Sequence, residues 1–350
     1  MTTEQPVPSD GTTEQQSRLL RIAKASIKPA IALLMLALLL RSGLLKLDEI
    51  KTSLTNSKIL IAGVVLLSLQ TLFFSFRWKY FVNQVVEFSL FQAVRQTLIG
   101  YFFNFFIPGG VGGDVIKALD LSKIKGTKKS TSFSLIFLDR ILGLYAMIFF
   151  SMIFLLLEHA SSDFNLQQYF FITLTMFLTA TAGLFFAPAI ILPLKKFLVG
   201  INQQSLTFKI LNALYLFTEK ISASVTKKNI FWSLIFSFFA QIFAILFLYQ
   251  VAQELAPDAI ANVPFMLFFP LACFAFMAAS IPITPGGIGL GQAGFYLIFS
   301  QFDKTVASQL VIGISLYQLF CLAIGFIGGF FYLNSRKYIS IPEQTPGQKS

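Results

Sequence analysis

The chain has 350 residues, of which 55% are hydrophobic and only 12% charged. A soluble domain carries roughly a quarter charged residues, so this balance, with a mean hydropathy of +0.73, excludes a soluble enzyme or adaptor and describes an integral membrane protein. The net charge of +11 would suggest nucleic acid for a soluble chain. Here Lys and Arg gather between apolar runs, where they set orientation and meet anionic headgroups, so no nucleic-acid partner is expected.

Residues 1–17 are polar, without the basic start and apolar core of a signal peptide, and read as a disordered cytoplasmic tail. Residues 18–338 read as a single transmembrane domain and 339–350 as a second disordered tail. Apolar runs fall near 29–46, 59–82, 88–107, 132–157, 168–193, 230–252, 264–283 and 306–333. Most are close to the ~20 residues a helix needs to span a bilayer, so the fold class is all-α, a polytopic helical membrane protein.

Charge orients the runs. Arg18, Arg21, Lys24 and Lys28 precede the first; Arg77 and Lys79 close the second; Lys123, Lys125, Lys128 and Lys129 precede the fourth. Lys195, Lys196, Lys209, Lys220, Lys227 and Lys228 lie between the fifth and sixth, and Arg336 and Lys337 follow the last. By the positive-inside rule these segments are cytoplasmic. The links "EHASSDFN" and "QELAPDAIAN" hold acids and no Lys or Arg, and read as outside. The 46–58 link is ambiguous, since Lys46, Lys51 and Lys58 accompany Asp48 and Glu49.

Threading the chain under these constraints forces two reversals. The segment from 88 to 122 starts and ends inside, and that from 264 to 303 starts and ends outside. Their turns fall at "PGGVGGD" and "TPGGIGLG", where glycine permits a tight change of direction. The architecture expected is therefore an inverted repeat with two opposed re-entrant helical hairpins. Half one covers about 25–157 and half two about 168–335. Pro108 and Pro285 are separated by roughly half the chain, as duplication requires. Both termini fall in the cytoplasm. Between the halves, Phe197, Ile201, Ile210, Leu214, Phe217 and Ile221 recur at helical spacing and predict an amphipathic surface helix.

A helix broken at membrane depth exposes backbone amides that need protein or a wet cavity, and a helix starting after the break offers an N-terminus to an anion. Gly109, Gly110, Gly112 and Gly113 in the first motif, and Gly286, Gly287 and Gly289 in the second, keep that backbone approachable. A lipid phosphate is the candidate anion; close packing of the two tips accounts for the glycines equally well. Arg95, Asp114, Lys117, Asp139 and Arg140 are ionisable residues within apolar runs and so candidates for function. They read either as structural ion pairs, with Asp114 as a helix cap, or as a cationic path whose acids balance the cations. Asn104, Thr284 and Gln292 flank the tips and can bond substrate or the opened backbone.

Cys273 and Cys321 sit inside apolar runs and read as buried thiols. One histidine, His159, makes histidine metal sites untenable. No nucleophile–base set and no P-loop occurs, so neither catalysis nor a cofactor is expected.

The blocks "NFFIPGGVGGDVIKA", "LDRILGL" and "PGGIGLGQAGF" resemble the lysylphosphatidylglycerol synthase transmembrane region family, also called flippase-like domain proteins. The resemblance covers about 25–335. It implies a multi-pass inner-membrane protein that moves a phospholipid or polyprenyl-linked lipid between leaflets. In bifunctional relatives a soluble aminoacyl-transferase domain follows the membrane part; the residues after the last run are too few for one, so a separate transferase is a possible partner. Gln292 stands where many relatives carry an acid, which argues against a proton or cation role there. The alternatives are a membrane subunit of aminoacyl-phospholipid or glycolipid synthesis, and an ion or small-solute transporter.

Overall fold

The computed structural model describes residues 47–107, 111–124, 127–159, 167–191 and 226–335, with isolated positions elsewhere. Most of the first apolar run and of the 195–228 segment, the turn residues Pro108, Gly109 and Gly110, and both tails lie outside them. The described elements are α1 (Leu47–Ser53), α2 (Ser57–Val82), α3 (Leu90–Phe106), α4 (Gly112–Leu121), α5 (Lys129–His159), α6 (Gln167–Ile191), α7 (Lys227–Leu255), the short α8 (Pro257–Ile260), α9 (Phe265–Ala279), a 3-10 turn (Pro285–Gly287), α10 (Leu290–Phe299) and α11 (Lys304–Ser335). No strand occurs among the described residues. Helices α2, α5, α7 and α11 are long and apolar enough to cross a membrane, and the all-α reading holds.

Helices α2 and α7 lie antiparallel, and polar contacts fix both ends. At one end Lys58 Nζ meets Glu254 Oε1 at 3.0 Å and Asn56 Nδ2 donates to Glu254 Oε2 at 3.1 Å. At the other, Tyr80 Oη donates to Asn229 Oδ1 at 2.9 Å and Gln84 Nε2 to the same atom at 3.2 Å. The ambiguous 46–58 link thus shares a face with the acidic link after α7, while the end of α2 shares the opposite face with Asn229. Local signals set the starts: Asn56 accepts from the Lys58 and Ile59 amides, Thr226 caps α7, and Ser89 with Gln92 forms a capping box on α3.

The two motif segments fold as helix pairs whose arms run back along each other. In the first, Gln96 Nε2 near the start of α3 donates to Asp120 Oδ2 near the end of α4, at 3.1 Å. Near the turn, the Gly113 amide donates to Asn104 Oδ1 at 3.0 Å. The arms approach closely because Gly113 lies against the Gly100 carbonyl, where any Cβ would collide with backbone. In the second pair, Phe268 and Phe299 meet at the open end with ring centroids 5.0 Å apart, and Phe276 and Phe295 nearer the turn at 5.2 Å.

The packing is reciprocal. Helix α3 of the first half lies on α11 of the second, and α9 of the second half lies on α5 of the first. Each shorter arm also packs on the last helix of its own half, α4 on α5 and α10 on α11. Small residues permit the first contact: Gly325 and Gly328 of α11 lie directly against the α3 backbone between Leu98 and Phe102. Ring stacking supports the second, with Phe154 and Phe269 at 4.0 Å and 14°. Buried side chains form two cores. One joins Trp78, Phe81, Ala118, Leu121 and Leu138 around the first pair. The other joins Phe247, Phe268, Phe269, Phe295 and Leu310 around the second.

Candidate functional site

Two neighbouring residues of α5 anchor the charges. Asp139 receives a two-pronged bond from Arg77 of α2, Nε to Oδ1 at 2.7 Å and Nη2 to Oδ2 at 2.9 Å. Arg77 Nη1 also donates to Ser237 Oγ of α7 at 2.8 Å. Arg77 is only 7% exposed, and its guanidinium stands 5.3 Å from the Phe74 ring centroid. Room for it comes from Gly143, one turn beyond Asp139, where a Cβ would crowd the guanidinium. A planar fork suits this carboxylate geometry and lysine would not.

Arg140 turns the other way and pairs with Asp114 of α4. The helix begins at Gly112 with Val111 in the capping position and no side-chain cap, so Asp114 holds Arg140 rather than capping its own helix. Lys117, one turn further on, reaches beneath Gly100 and places its ammonium 5.5 Å from the Trp78 ring centroid. It lies within electrostatic reach of Asp114, Asp139, Arg77 and Arg140. Among the described residues the cluster therefore gathers three basic side chains, Arg77, Lys117 and Arg140, and two carboxylates, Asp114 and Asp139. Among the described residues no carboxylate stands within ion-pair distance of Lys117.

Beside this cluster a cavity of about 180 Å³ opens between the first helix pair and the second turn, lined by Tyr101, Asn104, Phe105, Arg140, Ser280, Thr284, Gly286, Gly287, Tyr317, Gln318 and Cys321 among others. The second turn closes on the first pair: Gly286 lies against the Phe105 ring. Gly286, Gly287 and Gly289 have φ of 60°, 70° and 85°, conformations that side-chain-bearing residues adopt only at a cost. The opened backbone is held from behind. Gln292 Oε1 accepts from the Gly289 amide at 2.7 Å, and its Nε2 donates to Gln318 Oε1 at 2.8 Å and Ser315 Oγ at 3.0 Å. Gln318 Nε2 in turn donates to the Gly286 carbonyl at 3.2 Å.

Of the residues singled out from sequence, Asn104, Arg140, Thr284, Gly286 and Gly287 line the cavity. Asp114, Lys117 and Asp139 belong to the charge cluster beside it. Gly112, Gly113, Gly289 and Gln292 support the turns. Arg95 is half-buried on α3 and joins neither group. Gly109 and Gly110 lie outside the described residues. Asn104 accepts from the Gly113 amide and Gln292 from the Gly289 amide. The sequence reading took Arg77 only as a mark of orientation; its burial beside Asp139 was missed. Also missed were the lone amides Gln96 and Gln318 and the tyrosines Tyr101 and Tyr317. An amide inside an apolar run is itself the available signal, because burial obliges it to find a partner.

The fold defines a polytopic helical membrane protein. The chain belongs to the family described as the lysylphosphatidylglycerol synthase TM region, which matches residues 26–329. It is similar to the UPF0104 membrane protein MJ1595 of Methanocaldococcus jannaschii, 23% identical over 297 residues, covering 81% of this chain and 87% of that protein. No solved structure matches.

Proposed function

We propose that this protein moves a phospholipid or lipid-linked headgroup between the leaflets of the cell membrane, through the cleft between two re-entrant hairpins. The observation that carries the proposal is the cluster beside the cleft in which three basic side chains, Arg77, Lys117 and Arg140, gather with the two carboxylates of Asp114 and Asp139. An intramembrane charge is costly and belongs at a functional site; a guanidinium on the wall of a polar cavity suits a phosphate. Arg140, which lines the cavity, makes the direct contact, Lys117 supplies long-range attraction, and Asp114 and Asp139 hold the guanidinium groups in place. The acyl chains stay in the bilayer while the headgroup crosses.

Arm lengths support the re-entrant placement. The 15 residues of α9 and 17 of α3 extend about 22–26 Å at 1.5 Å per residue, short of the ~30 Å hydrocarbon core. The surface around the turns is apolar: Phe106, Ile281 and Ile283 are 55%, 47% and 40% exposed. Such side chains suit lipid rather than water. The cytoplasmic placement of both termini follows from the positive-inside rule.

The test is transbilayer movement of labelled lipids in proteoliposomes. Lys117→Ala, and Arg140→Ala combined with Asp114→Asn so that no carboxylate is left unpaired, should each slow movement at least severalfold per unit of folded protein. Wild-type rates in both variants would remove the cluster from the mechanism. A second reading, favoured by the family's description, makes the chain a membrane subunit of aminoacyl-phospholipid synthesis. Headgroup modification that depends on adding a separate transferase, with no lipid movement by the chain alone, would select it.

A further inference from the structure

Both carboxylates of the cluster are engaged by arginine: Asp139 by the fork of Arg77, and Asp114 by Arg140. Lys117 stands apart. It is half-buried, its stem lies beneath Gly100 and its Nζ faces the Trp78 ring. Among the described residues that nitrogen has neither an ion pair nor a hydrogen-bond acceptor.

The charged groups that act on Lys117 are Asp114 on its own helix, Asp139 and Arg140 on α5, and Arg77 on α2. On α3, which also packs on α4, the ionisable residues are Arg95 and Tyr101, and Asp120 near the end of α4 is held by Gln96. Two of the three basic side chains in the cluster are arginines, which keep their charge at any ordinary pH. A lysine amine inside a protein takes up and gives back a proton readily. Lys117 is therefore the basic group of the cluster whose charge is free to change.

The geometry gives such a change a use. Arg140 is the charged residue on an otherwise neutral cavity wall, among the described lining residues, and the same guanidinium holds Asp114. A phosphate entering the cavity competes with Asp114 for it. A partly buried carboxylate that loses its cation is costly unless another replaces it. Lys117 follows Asp114 by three residues on α4, a spacing at which an acid and a base meet. As an ammonium it takes the place that Arg140 leaves.

We infer, resting on the translocase reading above, that Lys117 takes up a proton with each anionic headgroup entering the cleft and releases it when the headgroup leaves, so that lipid movement is driven by the pH difference across the membrane. On entry the Lys117 nitrogen gains a proton from water and pairs with Asp114, while Arg140 turns to the phosphate. On exit Arg140 returns to Asp114 and the proton goes back to water on the other side. One negative charge and one proton cross together, and no net charge moves.

Two measurements on the full chain test this, with phosphatidylmethanol as the probe, an anionic phosphodiester whose own charge is constant around neutral pH. In proteoliposomes holding a pH difference of about one unit, the wild type should gather the lipid about tenfold in the leaflet on the alkaline side, since one pH unit is a factor of about ten in an equilibrium. Lys117→Arg, which cannot release a proton, and Lys117→Met, which cannot take one, should each abolish that accumulation. Asp114→Asn removes the carboxylate that changes partners and should abolish it too, which keeps the test open where a Lys117 variant does not fold. In detergent, calorimetric titration with short-chain phosphatidylmethanol in buffers of unlike ionisation enthalpy should count up to about one proton taken up per lipid bound, and none in Lys117→Met. Wild-type movement that ends in equal leaflets despite the gradient would overturn the coupling and leave the translocase reading standing. Accumulation that persists in Lys117→Arg would place the proton elsewhere and overturn the assignment. Proton uptake on binding with no movement of the lipid would sustain the exchange at Lys117 and overturn the translocase reading. Neither uptake nor movement would overturn both.

Discussion

Arg77 and Asp139, on helices 62 residues apart in the chain, share a two-pronged ion pair at 2.7 and 2.9 Å inside the membrane domain. With Ser237 as third partner, the pair ties α2, α5 and α7 at one point. The next residue, Arg140, pairs with Asp114 of α4. One helix thus holds both a fixed internal clamp and a guanidinium that reaches the cleft.

The clamp predicts an asymmetry between single and double variants. Arg77→Met leaves Asp139 charged and buried, and should cost about 3–5 kcal/mol of stability. Arg77→Met with Asp139→Leu removes both charges and should recover most of that loss. Thermal unfolding in detergent is the measurement. A double variant as unstable as the single would show that the helices do not depend on the pair in this way.

At the second turn, Gln292→Leu orphans the Gly289 amide and frees one side of Gln318. The expected loss is about 1–3 kcal/mol, read as a lower midpoint of thermal unfolding. Gln292→Glu retains the acceptor for Gly289 and should be the milder of the two. The reverse order would assign the side chain a role other than support.

Gly286→Ala tests the geometry of the cleft. A φ of 60° strains alanine by about 1–2 kcal/mol, and its Cβ would press on Phe105. Lipid movement should fall more than the yield of folded protein does. Adding Phe105→Ala should restore part of it by relieving the contact. Unchanged transport in Gly286→Ala would show that this turn does not shape the path.

Sidedness can be checked with single cysteines in a Cys273→Ala, Cys321→Ala background. A cysteine at Lys58, beside Glu254, should react with an impermeant maleimide from outside the cell. One at Gln84, beside Asn229, should react only after the cytoplasmic face is opened. Labelling of both from one side would contradict the antiparallel α2 and α7 pair as a spanning unit.

The sequence displayed the helical class and both broken helices plainly, because glycine and proline inside apolar runs have few other uses. It also drew attention to Asp114, Asp139 and Arg140, since charge is conspicuous inside apolar runs. Their pairing was not legible. Asp139 could have met Arg140's neighbours or Arg77, and only the three-dimensional crossing of α2 and α5 decides. Arg77 was hidden by its position near the positive end of its run, where a snorkelling cation is the ordinary reading. The neutral wall was hardest to see. Tyr101, Tyr317 and Gln318 come from distant helices and carry no spacing signal, so their convergence exists only in the fold.

The crossed seating of the helix pairs has an evolutionary corollary. Because α3 rests on α11 and α9 on α5, the surface that receives each pair is written in the opposite half of the gene. Substitutions at Gly325 or Gly328 must be tolerated by the Leu98–Phe102 stretch, more than two hundred positions away, and neither half is free to diverge alone. Two gene fragments split between 192 and 226 should accordingly yield a functional protein only when expressed together.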